Sequence, residues 1–173
     1  MLKKERLILL GNQFLDLMIK LITLLIFCFI NLINLNINAE GFIKAQNGIE
    51  WDSGNQSYTA VGSVIFKNDK IEAISDKMIA NYIEENEQEV FTIVEFFKNI
   101  SIYFNDEVFK GDYAIYDKDQ DTIKLVGNVS IDSPTRLLKG DELIVDLKNN
   151  RRTLNSNNND SVVEVFIENN ANN

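Results

Sequence analysis

Three aspartates stand at one position of a recurring pattern: Asp76 after Ser75, Asp112 after Gly111 and Asp141 after Gly140. Sets of carboxylates are the usual material of general acid–base catalysis. Little else in the chain could assist them. There is no histidine and a single cysteine, Cys28, so Ser-His-Asp triads, Cys-His dyads and zinc clusters cannot be assembled. No disulfide can close within one chain either. A catalytic pair must converge on one reacting centre, whereas these aspartates come one per unit of sequence. Gly-Asp or Ser-Asp at a strand entrance is ordinary turn chemistry, the carboxylate bonding local backbone N–H groups. The aspartates therefore read as structural, and the chain as a non-enzyme without metal or cofactor.

The elements that hold them are strands. Val64-Ile65-Phe66, Ile100-Ser101-Ile102 and Val129-Ser130-Ile131 are short period-2 segments rich in β-branched residues. Between strands lie Asp52-Ser53-Gly54-Asn55, Lys67-Asn68-Asp69, Asn105-Asp106, Lys118-Asp119, Ser133-Pro134 and Lys148-Asn149-Asn150, which have turn chemistry. Ile79–Val90 lacks a sustained 3.6 period, so the whole body is expected to be all-β.

Repetition is the more specific signal. Asn99-Ile100-Ser101-Ile102 with Gly111-Asp112 recurs at an offset of 29 as Asn128-Val129-Ser130-Ile131 with Gly140-Asp141. An earlier copy, Ser63-Val64-Ile65-Phe66 with Ser75-Asp76, precedes it by 36. The seven extra residues are expected in a longer loop around Glu84–Glu89. Val64, Ile100 and Val129 share one column, Phe66, Ile102 and Ile131 the next, and Ala73, Phe109 and Leu138 a third. Met78, Ala114 and Leu143 form a fourth column, and Ala80, Tyr116 and Val145 a fifth. Stacked units would align these columns into apolar stripes, giving an elongated body with an apolar interior.

The chain has 26 acidic and 17 basic residues, a net charge of −9, which argues against a nucleic-acid binder. At the N-terminus, basic residues up to Lys20 precede the apolar run Leu21–Ile30, and asparagines then thin it out before Ala39. About ten apolar residues suit a signal-peptide core, whereas a membrane span needs about 20. Residues 1–39 are thus expected to be a cleaved signal, with translation starting at Met1 or at Met18. Its removal takes away Cys28, four basic and two acidic groups, leaving a net charge of −11. The alternative is a retained anchor from Leu15 to about Ile37. At the other end, Asn155–Asn159 reads as a linker and Asn169–Asn173 as a tail. Between them Val162, Val163, Val165, Phe166 and Ile167 mark a strand that either closes the stack or pairs with another molecule.

Leu125-Val126-Gly127-Asn128-Val129-Ser130-Ile131, then Leu138-Lys139-Gly140-Asp141-Glu142-Leu143, then Asp146 and Thr153-Leu154, resembles the OstA-like domain and, within it, the LptA family. The resemblance covers residues 47–154, with Gly62-Ser63-Val64 and Asp76–Ala80 as a degenerate first copy. It departs from the family pattern at Lys98, where glycine is usual, and in the Asn-rich segment before Val162. The resemblance implies an elongated, open-ended β-jellyroll (residues 40–154), V-shaped in section, that shields lipopolysaccharide acyl chains in the periplasm. It further implies head-to-tail stacking of protomers, with LptC-like and LptD-like proteins of the same fold as partners. On that reading Val64, Phe66, Ile100, Ile102, Phe109, Val129, Ile131 and Leu138 line the lipid path. Two alternatives stay open: an inner-membrane-anchored, LptC-like component if residues 15–37 are retained, and a self-assembling β-scaffold that binds nothing.

Overall fold

The computed structural model describes residues 15–24, 41–157 and 162–168, and the chain separates into two compact units, Met1–Asn38 and Ala39–Asn173. In the first, residues 15–24 form a helix in which Lys20 donates to Asp16 one turn back, at 2.8 Å. No helix among the described residues is long and apolar enough to cross a membrane. The rest of the expected signal segment, including the run to Ile30 and the cleavage point after Ala39, lies outside the described residues.

The second unit is a single antiparallel sheet of ten strands. Six are long: β3 (Ser57–Asn68), β4 (Glu72–Glu85), β5 (Gln88–Phe104), β6 (Glu107–Asp117), β7 (Thr122–Ser133) and β8 (Arg136–Asp146). They pair in chain order. Two short strands, β1 (Gly41–Lys44) and β2 (Gly48–Asp52), both pair with β3 at one edge. Another two, β9 (Arg151–Asn155) and β10 (Glu164–Ile167), both pair with β8 at the other. Strand β1 falls within the expected jellyroll span of residues 40–154, although its own residues gave no strand signal in the sequence. The turns fall where Asp, Asn and Gly cluster; Asp52 and Asp146, for example, accept from the backbone N–H groups of Asn55 and Asn149.

Each long odd-numbered strand carries a bulge at the same repeat position. Register shifts occur between Val61 and Val64, between Phe97 and Ile100, and between Val126 and Val129. Two residues there stand opposite one on the neighbouring strand, and both are left-handed every time: Gly62 and Ser63 (φ 84° and 43°), Lys98 and Asn99 (62° and 49°), Gly127 and Asn128 (81° and 48°). Lys98 thus adopts a glycine-like backbone without being glycine. An aligned row of bulges bends every strand at one level, since a bulge increases local twist and kinks its strand. Each strand then has two halves, one on either side of the crease.

The halves fold over onto each other. Phe66 lies about six residues along β3 from Ala60, the residue level with Phe96 through the β3–β4–β5 pairing. That is about 20 Å of strand. The Phe66 and Phe96 rings nevertheless meet at 5.8 Å between centroids, and Phe91 meets Phe66 at the same distance. We call the halves upper (the side of Phe66) and lower (the side of Phe96). Their inward faces form one continuous apolar core from Ala60 to Leu147.

Three sequence expectations need correction. The seven extra residues of the first unit form no long loop; they lengthen the β4–β5 hairpin, whose strands run 14 and 17 residues up to a two-residue turn. The alternating Tyr82-Ile83 and Val90-Phe91 flanks can pair, so extending the ladder satisfies more backbone than a loop would. Asp76, Asp112 and Asp141 lie inside β4, β6 and β8, not at strand entrances. Finally, Asn155 closes β9 and the Asn157 N–H donates to Asp141 at 2.8 Å, so the repeat continues into what read as linker.

Candidate functional site

The recurring aspartates sit opposite the bulges and tie each unit to the next. Asp76 accepts from the Asn99 side chain at 2.8 Å, Asp112 from Asn128 at 2.7 Å, and Asp141 from the Asn157 backbone. Each carboxylate is committed to a different point along the crease, so the three do not converge on a reacting centre.

The residues expected to line the interior are inward-facing, as the column pattern put them, but all eight lie in the upper half; the lower half's inward face is made by others, among them Met78, Phe96, Leu125 and Leu143. Val64, Phe66, Ile102 and Phe109 have no exposed surface, and Ile100, Val129 and Ile131 only 2% each. Leu138 is half-buried against them. The interior is therefore filled by its own side chains, as close packing of a core requires. No buried side-chain polar atom among the described residues lacks a partner.

Polar rungs close the open side, away from the crease. Asn68, at the β3–β4 turn of the upper half, donates to the Tyr116 hydroxyl at the lower end of β6 (3.3 Å). Beside it Lys70 pairs with Asp121 at 2.8 Å. The hydrogen bond to Asp121 raises the Lys70 pKa, while burial pushes the Tyr116 phenol up. The next rung joins Glu107, at the β5–β6 turn, to Arg152 of β9: Nε donates to Oε2 at 2.7 Å. In both cases an upper turn reaches a lower turn three connections further along. The sheet is thus sheared, as closing a sheet on itself demands. The third upper turn, Ser133–Arg136, lies at the β9/β10 end and overhangs a cleft of about 720 Å³. Ile131, Leu138 and Pro134 are its apolar lining, and Asp106, Glu107, Arg136 and Arg152 its charged groups.

The residues of the expected closing strand are only partly in a strand. Val165, Phe166 and Ile167 belong to β10, whereas Val162 and Val163 precede it. All five are exposed, Ile167 by 66%. Their neighbour β8 is satisfied on this side, but the outer edge of β10 faces no strand among the described residues. At the opposite edge Phe42, Ile49 and Trp51 on β1 and β2 are exposed likewise, Trp51 partly stacked on Tyr58. The register of β10 sets Glu164 opposite Lys139, as Ser130 stands opposite Lys110. That is five residues later than the 29-residue offset requires.

Sequence reading missed Arg152 and Glu107. Carrying the offsets one step further would have found them. Tyr58, Val94, Ile123 and Arg152 form one inward column, and Ile71, Glu107 and Arg136 another. Toward the β9/β10 end both columns exchange apolar residues for charged ones where the interior meets solvent.

Comparison with known proteins adds a family to this geometry. Residues 43–151, more than half of the chain, match the family described as LptA/(LptD N-terminal domain) LPS transport protein. No curated protein matches the chain significantly. Among solved structures, the chain resembles LptH of Pseudomonas aeruginosa, described as the LptA homologous periplasmic component of the conserved lipopolysaccharide transport device. The TM-score is 0.63 at 11% identity, covering 74% of this chain and 94% of that one, so the fold is shared. With the open antiparallel sheet and the match across residues 43–151, the chain belongs to the LptA/LptD N-terminal family of lipopolysaccharide transport proteins.

Proposed function

We propose that the protein is a non-enzymatic periplasmic carrier that shields lipopolysaccharide acyl chains between its two sheet halves and hands them along a stack of like domains. The observation that carries this reading is the apolar interior running through every unit from one sheet edge to the other, in a member of a lipopolysaccharide transport family. The interior is closed in this structure, so loading requires the halves to part at their open side. Parting also separates the apolar contacts between the halves, which the acyl chain would have to replace. One acyl chain of a dozen methylenes gains about 10 kcal/mol on leaving water. The rungs it must break are partly exposed pairs, of which each contributes about 1 kcal/mol or less. A net charge near −11 in the mature part would keep the anionic head group away from most of the surface.

The two open edges fit stacking. Unpaired backbone on β9/β10 of one copy and β1/β2 of the next seek strands, and both edges carry exposed apolar side chains. LptC-like and LptD-like domains would extend the same path at either end. A second reading, a β-scaffold that binds nothing, draws on the complete filling of the interior. Photocrosslinking to lipopolysaccharide, with a photoreactive residue in turn at positions 66, 102, 131 and 138 and an outward control at 128, separates the two. Adducts at the inward positions and none at 128 support the carrier; no adduct at any position of a folded, exported protein leaves the scaffold.

A further inference from the structure

Arg152 sits in a column that is otherwise apolar or aromatic: Val94 and Ile123 are both fully buried. Its partner Glu107 occupies the position held by buried Ile71 two strands earlier. Replacing such a pair by apolar residues is often neutral or stabilising, so packing alone does not explain a partly buried ion pair here. The side chains are 17% and 16% exposed. Besides Glu107, the guanidinium donates through Nη1 to the Asn150 carbonyl (2.7 Å) and side chain (2.6 Å), and lies 5.4 Å from the Phe104 ring centroid. It is thereby held with its fork directed across the gap between the upper and lower halves. Next to it the cleft offers Ile131 and Leu138 as an apolar floor and Arg136 as a second cation, with Asp106 as a further carboxylate on its lining.

A planar fork held beside an apolar cleft fits a phosphate attached to a hydrocarbon. Arginine binds carboxylate and phosphate oxygens in the same bidentate geometry, so either can occupy the place that Glu107 now fills. We propose that Arg152, with Arg136, is a phosphate-binding site for a phosphorylated lipid, which displaces Glu107 from the guanidinium, unties the last rung and admits its acyl chains over Ile131 and Leu138. The exchange makes and breaks only ion pairs. It joins two steps in one event, since the head group that is recognised also removes the bar across the interior. The inference rests on the carrier reading and adds to it the part of the lipid that is read and the end at which it is read.

The test is displacement of an apolar fluorescent probe from the full protein by phosphorylated lipid A, by the same lipid with its phosphates removed, and by inorganic phosphate. Wild type should bind the phosphorylated lipid about tenfold more tightly, the return of one charge-assisted hydrogen-bond pair. Arg152→Gln should abolish that ratio, the dephosphorylated lipid binding no more weakly than to wild type because the rung is already untied, and Arg152→Lys should keep part of it. Glu107→Gln, which removes the competitor, should strengthen binding of the phosphorylated lipid. Circular dichroism melts verify that each variant folds. A tenfold ratio that survives in folded Arg152→Gln overturns the proposal, and so does displacement of the probe by inorganic phosphate alone, which would mark a bare anion site. Equal binding of the two lipids by wild type overturns it while leaving the carrier reading intact. Binding of neither overturns both.

Discussion

The bulge row makes a sharp demand of the three residues in the column Gly62, Lys98 and Gly127. Gly127 has φ 81°, and a Cβ there would come within 2.7 Å of Asp112 Oδ2 and 3.1 Å of its Cβ. In Gly127→Ala, left-handed strain costs about 1–2 kcal/mol. Moving Asp112 aside breaks its bond from Asn128, about 1 kcal/mol for an exposed hydrogen bond from a neutral amide to a carboxylate. Loss of glycine's freedom in the unfolded chain returns about 0.4–1 kcal/mol. The net is a destabilisation of about 2 kcal/mol. Lys98→Gly runs the argument backwards: φ 62° is relieved, about 1–2 kcal/mol, against about 0.5–1 kcal/mol of added unfolded-state entropy. That variant should be more stable by about 0.5–1 kcal/mol. Urea unfolding followed by far-ultraviolet circular dichroism measures both. Shifts of the same sign, or Gly127→Ala within 0.5 kcal/mol of wild type (about the scatter of surface substitutions), would refute the idea that these positions crease the sheet by adopting left-handed backbone.

Other consequences are open to direct measurement. Phe66→Ala should cost about 3–5 kcal/mol in unfolding free energy, because a fully buried ring in contact with Phe91 and Phe96 leaves a cavity; a loss under about 1 kcal/mol would mean that the two halves are not packed on each other. Phe66→Asp would bury a bare carboxylate and unfold the protein, so Leu138, half-buried at the cleft, is the better place to perturb lipid contact. Ending the chain after Ser161 removes β10 and should impair self-association, read by sedimentation, more than lipid loading; the reverse order would contradict the proposed role of that edge. Burial, together with hydrogen bonds given to Glu89 and Glu95, pushes the Tyr58 and Tyr113 phenols up to about 12. A pKa raised on folding means stability that is whole below pH 10 and is lost as the pH rises toward about 12. Tyr113→Phe should therefore flatten the alkaline limb of the unfolding profile, and an unchanged limb would show that the phenol contributes nothing there.

Much of the fold was legible because the sheet has a short period and a long one. Alternation at period 2 found the strands around Val64, Ile100 and Val129, and the 29-residue offset assigned Ile102, Ile131 and Phe109 to inward columns that the structure buries. The same columns held the crease, but Gly127 and Asn128 do not announce that their backbone is left-handed, and Lys98 hid the glycine pattern. Asp112 read as a turn residue because a turn and a bulge present the same need, a carboxylate near exposed N–H and amide donors. Strand β9 was obscured by its composition, since Arg151-Arg152-Thr153 lacks the apolar alternation of its equivalents. The rungs were out of reach for another reason. Glu107 and Arg152 are 45 residues apart and on strands that do not pair, so local periodicity carries no trace of their contact.

The central claim is that the two sheet halves open to receive acyl chains between them. Spin labels at exposed Asp69 in the β3–β4 turn and Asp119 in the β6–β7 turn, with Cys28 replaced by serine, report the gap next to the Lys70–Asp121 rung. Pulsed dipolar spectroscopy on the protein with and without lipopolysaccharide measures that distance. The account predicts one short distance in the free protein and a second, longer population that grows with lipid. A distance distribution that does not change while lipid is demonstrably bound would contradict it and put the acyl chains outside the fold.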